Sequence, residues 1–208
     1  MSNVLFIKAN NRPADQSVSV KLYNEFLGSY KESHPQDTVT ELDLFAENLP
    51  YYDNTLITGM YKAAQGYEAT SEEAEGAALV NKYLEQFLAA DKVVFAFPLW
   101  NLSVPAVLHT YIDYLSQAGR TFQYTAEGPV GLVKGKKVAV LNARGGIYSE
   151  GPAASAEMAV NFVLGMLNFW GFEDITQVII EGHNQLPAQS AEIIEKGLQL
   201  AKSEAVSF

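Results

Sequence analysis

Short strand-like segments alternate with helical segments five times along this chain, and this alternation restricts the fold more than any other feature. The predicted strands cover residues 4–8, 38–42, 92–97, 137–142 and 175–180. The predicted helices cover residues 17–30, 71–89, 105–117, 153–169 and 187–206. Four of the strands are apolar on both faces, whereas 38–42 alternates like an edge strand. This pattern indicates a parallel sheet covered by helices on both sides.

The length and the absence of linkers favour one domain over residues 1–208. Five strand–helix units form one α/β domain of three layers, in which helices cover both faces of a five-stranded parallel sheet. The predicted strand order is 2-1-3-4-5, the order of the flavodoxin-like fold. In such a sheet, ligands bind beyond the carboxyl ends of the strands, where the strand order reverses.

The composition excludes several classes of function. The formal charge is −10 and the basic residues are scattered, which argues against nucleic-acid binding. The chain has no cysteine, which excludes thiolate nucleophiles and cysteine-ligated metals, and its three histidines lack metal-ligand spacing. No segment approaches the ~20 apolar residues of a membrane span, and the first residues resemble a strand rather than a signal peptide. We therefore expect a cytoplasmic protein that binds neither metal nor membrane.

The first loop at the carboxyl edge, residues 9–19, is rich in hydrogen-bond donors and leads into a helix. Its candidate ligand residues are Asn10, Ser17, Val18 and Ser19. Hydroxyls and free N–H groups at the start of a helix form a phosphate site. Because the loop lacks the glycines of a dinucleotide fingerprint or a P-loop, a terminal monophosphate fits it best. The alternative is that Ser17 only caps the helix.

The second loop begins with Pro98, Leu99, Trp100, Asn101 and Leu102, and it places a large aromatic ring and an amide at the same edge. The isoalloxazine ring of a flavin is flat, apolar at one end and rich in hydrogen-bonding atoms at the other. Backbone N–H groups and Asn101 could bind those atoms, while Trp100 and Leu102 shield the ring. The alternative is that Trp100 belongs to the ordinary core.

The third loop contains Ala143, Arg144, Gly145, Gly146 and Tyr148. Paired glycines after a buried strand permit close approach of the backbone to a ligand. Their N–H groups could face the pyrimidine edge of a flavin, where negative charge develops on reduction. The alternative is a plain turn. Three such loops at the ends of the expected strands are a stronger signal than any one of them.

Acid–base candidates are few. His183 follows the fifth predicted strand, close to the expected ligand edge, and is a candidate for the substrate pocket. No serine nucleophile elbow is present. A chain without a nucleophile cluster or a metal site, but with an edge that fits a flavin, is expected to perform hydride chemistry. The flavin, rather than a side chain, is then the reactive group.

These motifs resemble those of the bacterial FMN-dependent NADH azoreductases and quinone reductases, over essentially the whole chain. The resemblance rests on the serines of the first loop, on the second and third loops, and on the run 118–132 (AGRTFQYTAEGPVGL). That run matches the family pattern A-G-x-T-F-x-Y-T-x-x-G-P-x-G-L. Many relatives have Met-Tyr-Asn-Phe at 99–102 and serine at 143, where this chain has Leu-Trp-Asn-Leu and alanine. These departures affect the shape of the pocket.

The resemblance implies a homodimer with FMN bound at two sites between its subunits, and NADH or NADPH as the electron donor. It implies ping-pong reduction of quinones and of azo compounds, the latter to aromatic amines. Ser17 and Ser19 would hold the FMN phosphate, the second loop would follow the ring, and residues 144–146 would contact its polar edge. The walls of the substrate cavity would include Phe122, Tyr124 and Phe169.

Two other functions fit the same fold. One is a flavodoxin that carries single electrons, and the other is a module that binds a partner protein without flavin. The long loops at 43–59 and 120–136 argue against the carrier, because a carrier needs an exposed flavin and no substrate cavity. The binding module would purify colourless and would not take up FMN.

Overall fold

Seven strands and six α-helices form the protein, whose computed structural model describes residues 1–208. The strands are β1 (Asn3–Lys8), β2 (Thr38–Asp43), β3 (Lys92–Pro98), β4 (Phe122–Thr125), β5 (Gly128–Gly131), β6 (Lys137–Arg144) and β7 (Asp174–Glu181). The helices are α1 (Val18–Ser33), α2 (Asn54–Gln65), α3 (Ser71–Ala89), α4 (Ala106–Leu115), α5 (Val160–Trp170) and α6 (Ser190–Ser207). None of the helices combines the length and the apolarity needed to cross a membrane.

The main sheet is parallel and has five strands, in the order β2-β1-β3-β6-β7. Strands β4 and β5 form a separate antiparallel hairpin. Because β6 and β7 are the fourth and fifth strands of the main sheet, the predicted order 2-1-3-4-5 is confirmed. The chain leaves β1 toward one edge of the sheet and leaves β3 toward the other. The loops after these two strands therefore diverge and open a crevice between them.

Alternate residues of the central strands enter two separate cores. Val4 and Phe6 of β1 pack beneath α1 and α6, whereas Leu5 and Ile7 pack beneath α3, α4 and α5. The ring centroids of Phe6 and Tyr30 lie 5.7 Å apart in the first core. Burial of one such large apolar side chain contributes roughly 1.5–3 kcal/mol. Helices thus cover both faces of the sheet, and a polar ligand can approach it only at its ends.

Helix α2 contradicts the sequence-based expectation of an irregular segment over 43–59. Asp53 caps this helix, because its carboxylate accepts hydrogen bonds from two backbone N–H groups at 3.0 and 3.1 Å. Gly59 concealed the helix from sequence reasoning, since glycine disfavours helices. A Cβ at Gly59 would lie 2.2 Å from the carbonyl oxygen of Glu73, so glycine here permits α2 to pack directly on α3.

Helix α3 covers the residues predicted for it, whereas α5 does not. Thr70 caps α3: its hydroxyl accepts from the N–H of Glu73 at 3.2 Å, and the Glu73 carboxylate accepts from the N–H of Thr70 at 2.8 Å. Helix α5 begins later than predicted, because the carboxylate of Glu157 binds the N–H groups that open it. The loop or hairpin predicted over 120–136 is a hairpin, formed by β4 and β5.

The hairpin docks on the end of α5 through a backbone contact at Gly131. A Cβ at this position would lie 2.3 Å from the backbone nitrogen of Gly171 and from the carbonyl carbon of Trp170. Gly131→Ala must therefore displace the hairpin, and we expect it to lower the free energy of unfolding by about 2 kcal/mol or more. Urea denaturation measures this change.

The matched control for that substitution is Gly28→Ala on the exposed side of α1, where nothing lies within 4 Å of the new Cβ. Alanine is favoured over glycine inside a helix, so this variant should gain about 0.5–1 kcal/mol. Equal stability changes in the two variants would show that the hairpin does not depend on the close approach.

Candidate functional site

A cavity of about 480 Å³ lies at the carboxyl ends of β1 and β3, in the crevice between their loops. Eleven of the residues predicted to form the site line it: Asn10, Ser17, Val18, Ser19, Pro98, Leu99, Trp100, Ala143, Arg144, Gly145 and His183. No cluster of three or more histidine, aspartate or glutamate side chains is placed to hold a metal ion. The structure thus joins the three predicted loops around one space.

Asn10 organises the first loop from a buried position. Its Nδ2 donates to the hydroxyl oxygen of Ser17 at 2.9 Å and to that of Ser19 at 2.8 Å. Its Oδ1 accepts from the backbone N–H of Arg12 at 2.9 Å. The two hydroxyl oxygens lie 3.2 Å apart, and each already accepts a hydrogen from Asn10. At most one hydroxyl hydrogen can bridge this pair, so at least one is free to donate to a ligand.

Ser17 occupies the capping position of α1, but its side chain makes no capping hydrogen bond. The alternative interpretation, that this hydroxyl only caps the helix, is therefore wrong. The first N–H groups of α1 lack intrahelical partners, as at every helix start. Hydroxyl and N–H donors together at a helix N-terminus suit a phosphate group.

Sequence reasoning missed two cations that line the same cavity, Arg12 and Lys21. Neither forms an ion pair, although most of the other basic side chains do. Asp15 also lines the cavity and partly offsets their charge. The cations were visible in the sequence, since one lies in the first loop and the other one turn into α1. Asn184 and Ser190 could not be recognised from the sequence, because the pairing of β7 with β6 brings in the first and the packing of α6 beside α1 brings in the second.

The second loop is a tight turn in which the N–H and the carbonyl of Trp100 both bond to Ser103, at 3.0 Å each. Asn101 and Leu102 form its tip with φ angles of 49° and 69°. This left-handed region suits asparagine but is unfavourable for leucine. Trp100 is only partly buried and lines the cavity, so it is not an ordinary core residue.

A second cavity, of about 570 Å³, lies on the other side of this turn. Trp100 lines both cavities, and Asn101 lines only the second one. Tyr51, Tyr52 and His109 contribute to the second cavity. Leu102 lines neither, and the structure thus separates the residues of the second loop.

The third loop, residues 144–149, is called the glycine loop here, and its two glycines have bonded carbonyls and unpaired N–H groups. The carbonyl of Gly145 accepts from the N–H groups of Asn184 and Gln185, and that of Gly146 from Gly182. The N–H groups of Gly145 and Gly146 have no partner within the protein. A Cβ at Gly145 would lie 2.4 Å from Nδ2 of Asn184 and 3.0 Å from its Cβ, so any larger residue would force the Asn184 side chain to shift.

Arg144 lies at the start of the glycine loop, and its side chain is only 4% exposed. Its Nη2 lies 2.8 Å from Oε2 of Glu181, and its Nη1 lies 3.3 Å from Oε1 of Glu157. A buried guanidinium needs such partners, because an unpaired buried charge costs several kcal/mol. The side chain of Arg144 is thus committed to two carboxylates, and a ligand contact from this residue would come from its backbone.

The remaining predicted residues lie outside the first cavity. Tyr148 donates its N–H to Glu181 at 2.9 Å and stands on the far side of the glycine loop. The three aromatic residues predicted for the substrate pocket form a separate cluster on the hairpin and α5. Ring centroids are 4.4 Å apart for Phe122 and Phe169, and 5.4 Å apart for Phe122 and Tyr124. Tyr124 is 75% exposed.

His183 is the one substrate-pocket candidate that lines the first cavity. Its Nδ1 is buried and has no hydrogen-bond partner. Burial lowers the pKa of His183 below its ordinary value, because desolvation penalises the charged imidazolium. The ring is therefore neutral at pH 7, and the positive charge around the cavity comes from the arginine and the lysine of the first loop and α1.

The fold and the cavity define a flavodoxin-like α/β protein. Its switch-point crevice offers hydrogen-bond donors to an anionic group, and Leu99 and Trp100 line the same cavity. Residues 2–204 match the model of a protein family that is described as having the flavodoxin-like fold. The sequence is 62% identical over 208 residues to the FMN-dependent NADH:quinone oxidoreductase 4 of Bacillus cereus, with 100% of both chains covered. The chain belongs to this flavodoxin-like family.

Two solved structures extend the comparison. An azoreductase from Bacillus anthracis str. Sterne superposes with a TM-score of 0.98, at 62% identity and with 100% of each chain covered. An FMN-dependent NADH-azoreductase from Bacillus anthracis str. Ames Ancestor, in complex with FMN, superposes with a TM-score of 0.89. It is 31% identical, with 99% of this chain and 98% of that chain covered.

The left-handed conformation of Leu102 leads to a stability prediction. Leu102→Asn loses apolar burial but gains a side chain that tolerates this conformation. Leu132→Asn is the control, since Leu132 is similarly exposed (37% against 38%) and has no positive φ. We expect Leu102→Asn to be more stable than Leu132→Asn by about 1 kcal/mol. Thermal unfolding of both variants measures the difference, and the reverse order would show that the turn holds no backbone strain.

Proposed function

We propose that this protein is an FMN-dependent oxidoreductase that reduces quinones with NADH and also cleaves azo bonds. The single observation that supports this most is the convergence of the three loops on one cavity, with hydroxyls, cations and free N–H groups on its walls. The names of the relatives at 62% identity point to the same activity.

The residues around the first loop fit the phosphate end of FMN. Ser17 and Ser19 offer a hydroxyl donor, and α1 offers the N–H groups of its first turn. Arg12 and Lys21 offer charge that no carboxylate neutralises by direct pairing. A phosphate monoester carries close to two negative charges at neutral pH, so donors and cations together stabilise it.

The other two loops fit the ring of FMN. Leu99 and Trp100 form an apolar part of the wall, and Gly145, whose N–H is free, lines the same cavity. Fixed N–H donors that face a position of developing negative charge stabilise that charge without reorganisation. Bound FMN would supply the redox chemistry, taking a hydride from the nicotinamide and passing two electrons to the acceptor. The side chains then orient the stacked rings and exclude water.

We further propose a ping-pong mechanism, in which the nicotinamide cofactor binds, is oxidised and leaves before the electron acceptor binds in its place. Reduction of a quinone to a hydroquinone takes two electrons and two protons. Full cleavage of an azo bond to two amines takes four electrons and four protons, and therefore two molecules of NADH. NADPH is a second candidate donor, and we place the reaction in the cytoplasm. Burial lowers the pKa of His183 and so disfavours the imidazolium that would act as an acid, and we propose that the protons come from solvent or from hydroxyls of the pocket.

A homodimer would explain the position of the aromatic cluster. Phe122, Tyr124 and Phe169 border no part of the first cavity in their own chain, yet Tyr124 is largely exposed on the hairpin. We propose that this cluster covers the cofactor site of the partner subunit. Light scattering should then give the mass of two chains. A Tyr124→Ala variant should keep FMN affinity but lose acceptor affinity, and a monomeric wild type would contradict the proposal.

The test of the proposed function is the visible spectrum of the protein after addition of FMN, followed by NADH without oxygen. We expect bound flavin bands that bleach with NADH and return with a quinone. Bleaching without steady-state turnover would identify an electron carrier instead. A protein that stays colourless would be a binding module, and the proposal would be wrong.

Asn10→Asp tests whether the first loop is the binding site. The new carboxylate accepts hydrogens where Asn10 donates them, so it turns the hydroxyl hydrogens inward and adds a negative charge beside the phosphate. We expect FMN to bind at least about tenfold more weakly. Asn24→Asp, the same substitution at an exposed position of α1, should change the affinity less than about twofold. Equal affinities of the two variants for FMN would show that the phosphate site does not lie in the first loop.

A further inference from the structure

One carboxylate, that of Glu181 at the end of β7, binds both ends of the glycine loop. Its Oε2 accepts from Nε of Arg144 at 2.9 Å, at the first residue of the loop. The same oxygen accepts from the N–H groups of Tyr148 at 2.9 Å and Ser149 at 3.1 Å, at the last two residues. The hydroxyl of Ser149 donates to Oε1. The loop is therefore closed by a side chain from the neighbouring strand.

Glu181 is charged at neutral pH. Burial raises the pKa of Glu181, but hydrogen bonds from Ser149, Tyr148 and Arg144 outweigh burial, so its pKa lies below the ordinary value. The charged carboxylate offers acceptors only, and every contact that it makes is with a donor.

The middle of the glycine loop is held from the same side. The carbonyls of Gly145 and Gly146 bind N–H groups of residues 182–185, and the N–H of Ile147 donates to the side chain of Gln185 at 2.9 Å. The N–H groups of Gly145 and Gly146 are the ones that these contacts leave unused. Gly145 lines the first cavity, so these contacts determine which backbone groups of the glycine loop can bind a ligand there.

Glu157 provides an internal comparison, because it binds the same guanidinium from the other side. Its remaining hydrogen bonds, at 2.9–3.1 Å, go to the N–H groups of Ala159, Val160 and Asn161 at the start of α5. It makes none to the backbone of residues 145–149. The two glutamates therefore share Arg144 but differ in what else they hold.

We propose that Glu181 is a positioning residue for the cofactor: by holding Arg144 and the backbone of Tyr148 and Ser149 together, it keeps the unpaired N–H groups of the glycine loop directed to the cavity. This inference rests on the proposed function, since FMN is taken as the ligand. Glu181 does not line the cavity and acts only through the loop.

The experiment compares Glu181→Gln with Glu157→Gln by two measurements on the full chain. The first is the dissociation constant of FMN, from the quenching of its fluorescence. Both carboxylate oxygens of Glu181 receive hydrogens, and glutamine must place an NH2 group at one of these two positions while losing the charge that faces Arg144, so Glu181→Gln should weaken FMN binding by roughly tenfold. Glu157→Gln removes the same charge from the same arginine but leaves the loop contacts, and it should change FMN affinity less than about twofold.

The second measurement is amide hydrogen exchange in the apo protein, which reports the loop without any ligand. Glu181→Gln should speed exchange at Tyr148 and Ser149, whereas Glu157→Gln should speed it at residues 159–161. If Glu181 contributed only to general stability, Glu181→Gln would lower the melting temperature without faster exchange confined to Tyr148 and Ser149, and that result would overturn the inference.

Ser149→Ala decides the case if Glu181→Gln does not fold. Ser149 is exposed and the substitution removes one donor to Glu181, so the melting temperature should stay unchanged while FMN binds a few-fold more weakly. Unchanged FMN affinity in Glu181→Gln, or in Ser149→Ala where Glu181→Gln does not fold, would overturn the inference, as would an equal loss in Glu157→Gln. Wild-type protein that binds no FMN would instead overturn the proposed function itself.

Discussion

Coverage of the sheet on both faces is the constraint from which the site follows. Apolar side chains fill the space above and below β1 and β3, so no ligand reaches those strands from the side. The loops at the carboxyl ends are the places where the backbone is left without ladder partners, and two of them diverge at the switch point. The polar groups of these loops must then be satisfied locally or by a ligand.

The local contacts satisfy acceptors and leave donors free. Asn10 supplies hydrogens to both serine oxygens, and the loop after β7 supplies hydrogens to the glycine carbonyls. What remains on the cavity side is a hydroxyl hydrogen, N–H groups and two unpaired cations. Such a surface selects a ligand rich in acceptor atoms. It also explains how a chain with a net charge of −10 can hold a phosphate, since the local balance of charge differs from the overall one.

Patterns that are local in sequence predicted much of this molecule. The strand order, and the position of three polar loops around one cavity, followed from short apolar runs and from the polar residues after them. Contacts between distant residues could not be predicted in this way. Glu181 is 37 positions from Arg144, and Asn184 reaches the cavity only because β7 lies beside β6. At Gly59 the local sequence pattern was misleading. Glycine disfavours helices, yet α2 has glycine there because a Cβ would collide with the backbone of α3.

The buried group of Arg144, Glu157 and Glu181 connects the second loop to the third. The residue after Glu157, Met158, donates its N–H to the carbonyl of Leu102 at 3.0 Å, and thereby ties the tip of the second loop to the segment before α5. Glu157 in turn is fixed by Arg144 at the start of the glycine loop. The turn that carries Trp100 is thus joined to the glycine loop through one buried guanidinium. Because Trp100 lines both cavities, we expect a displacement of that guanidinium to alter the walls of both.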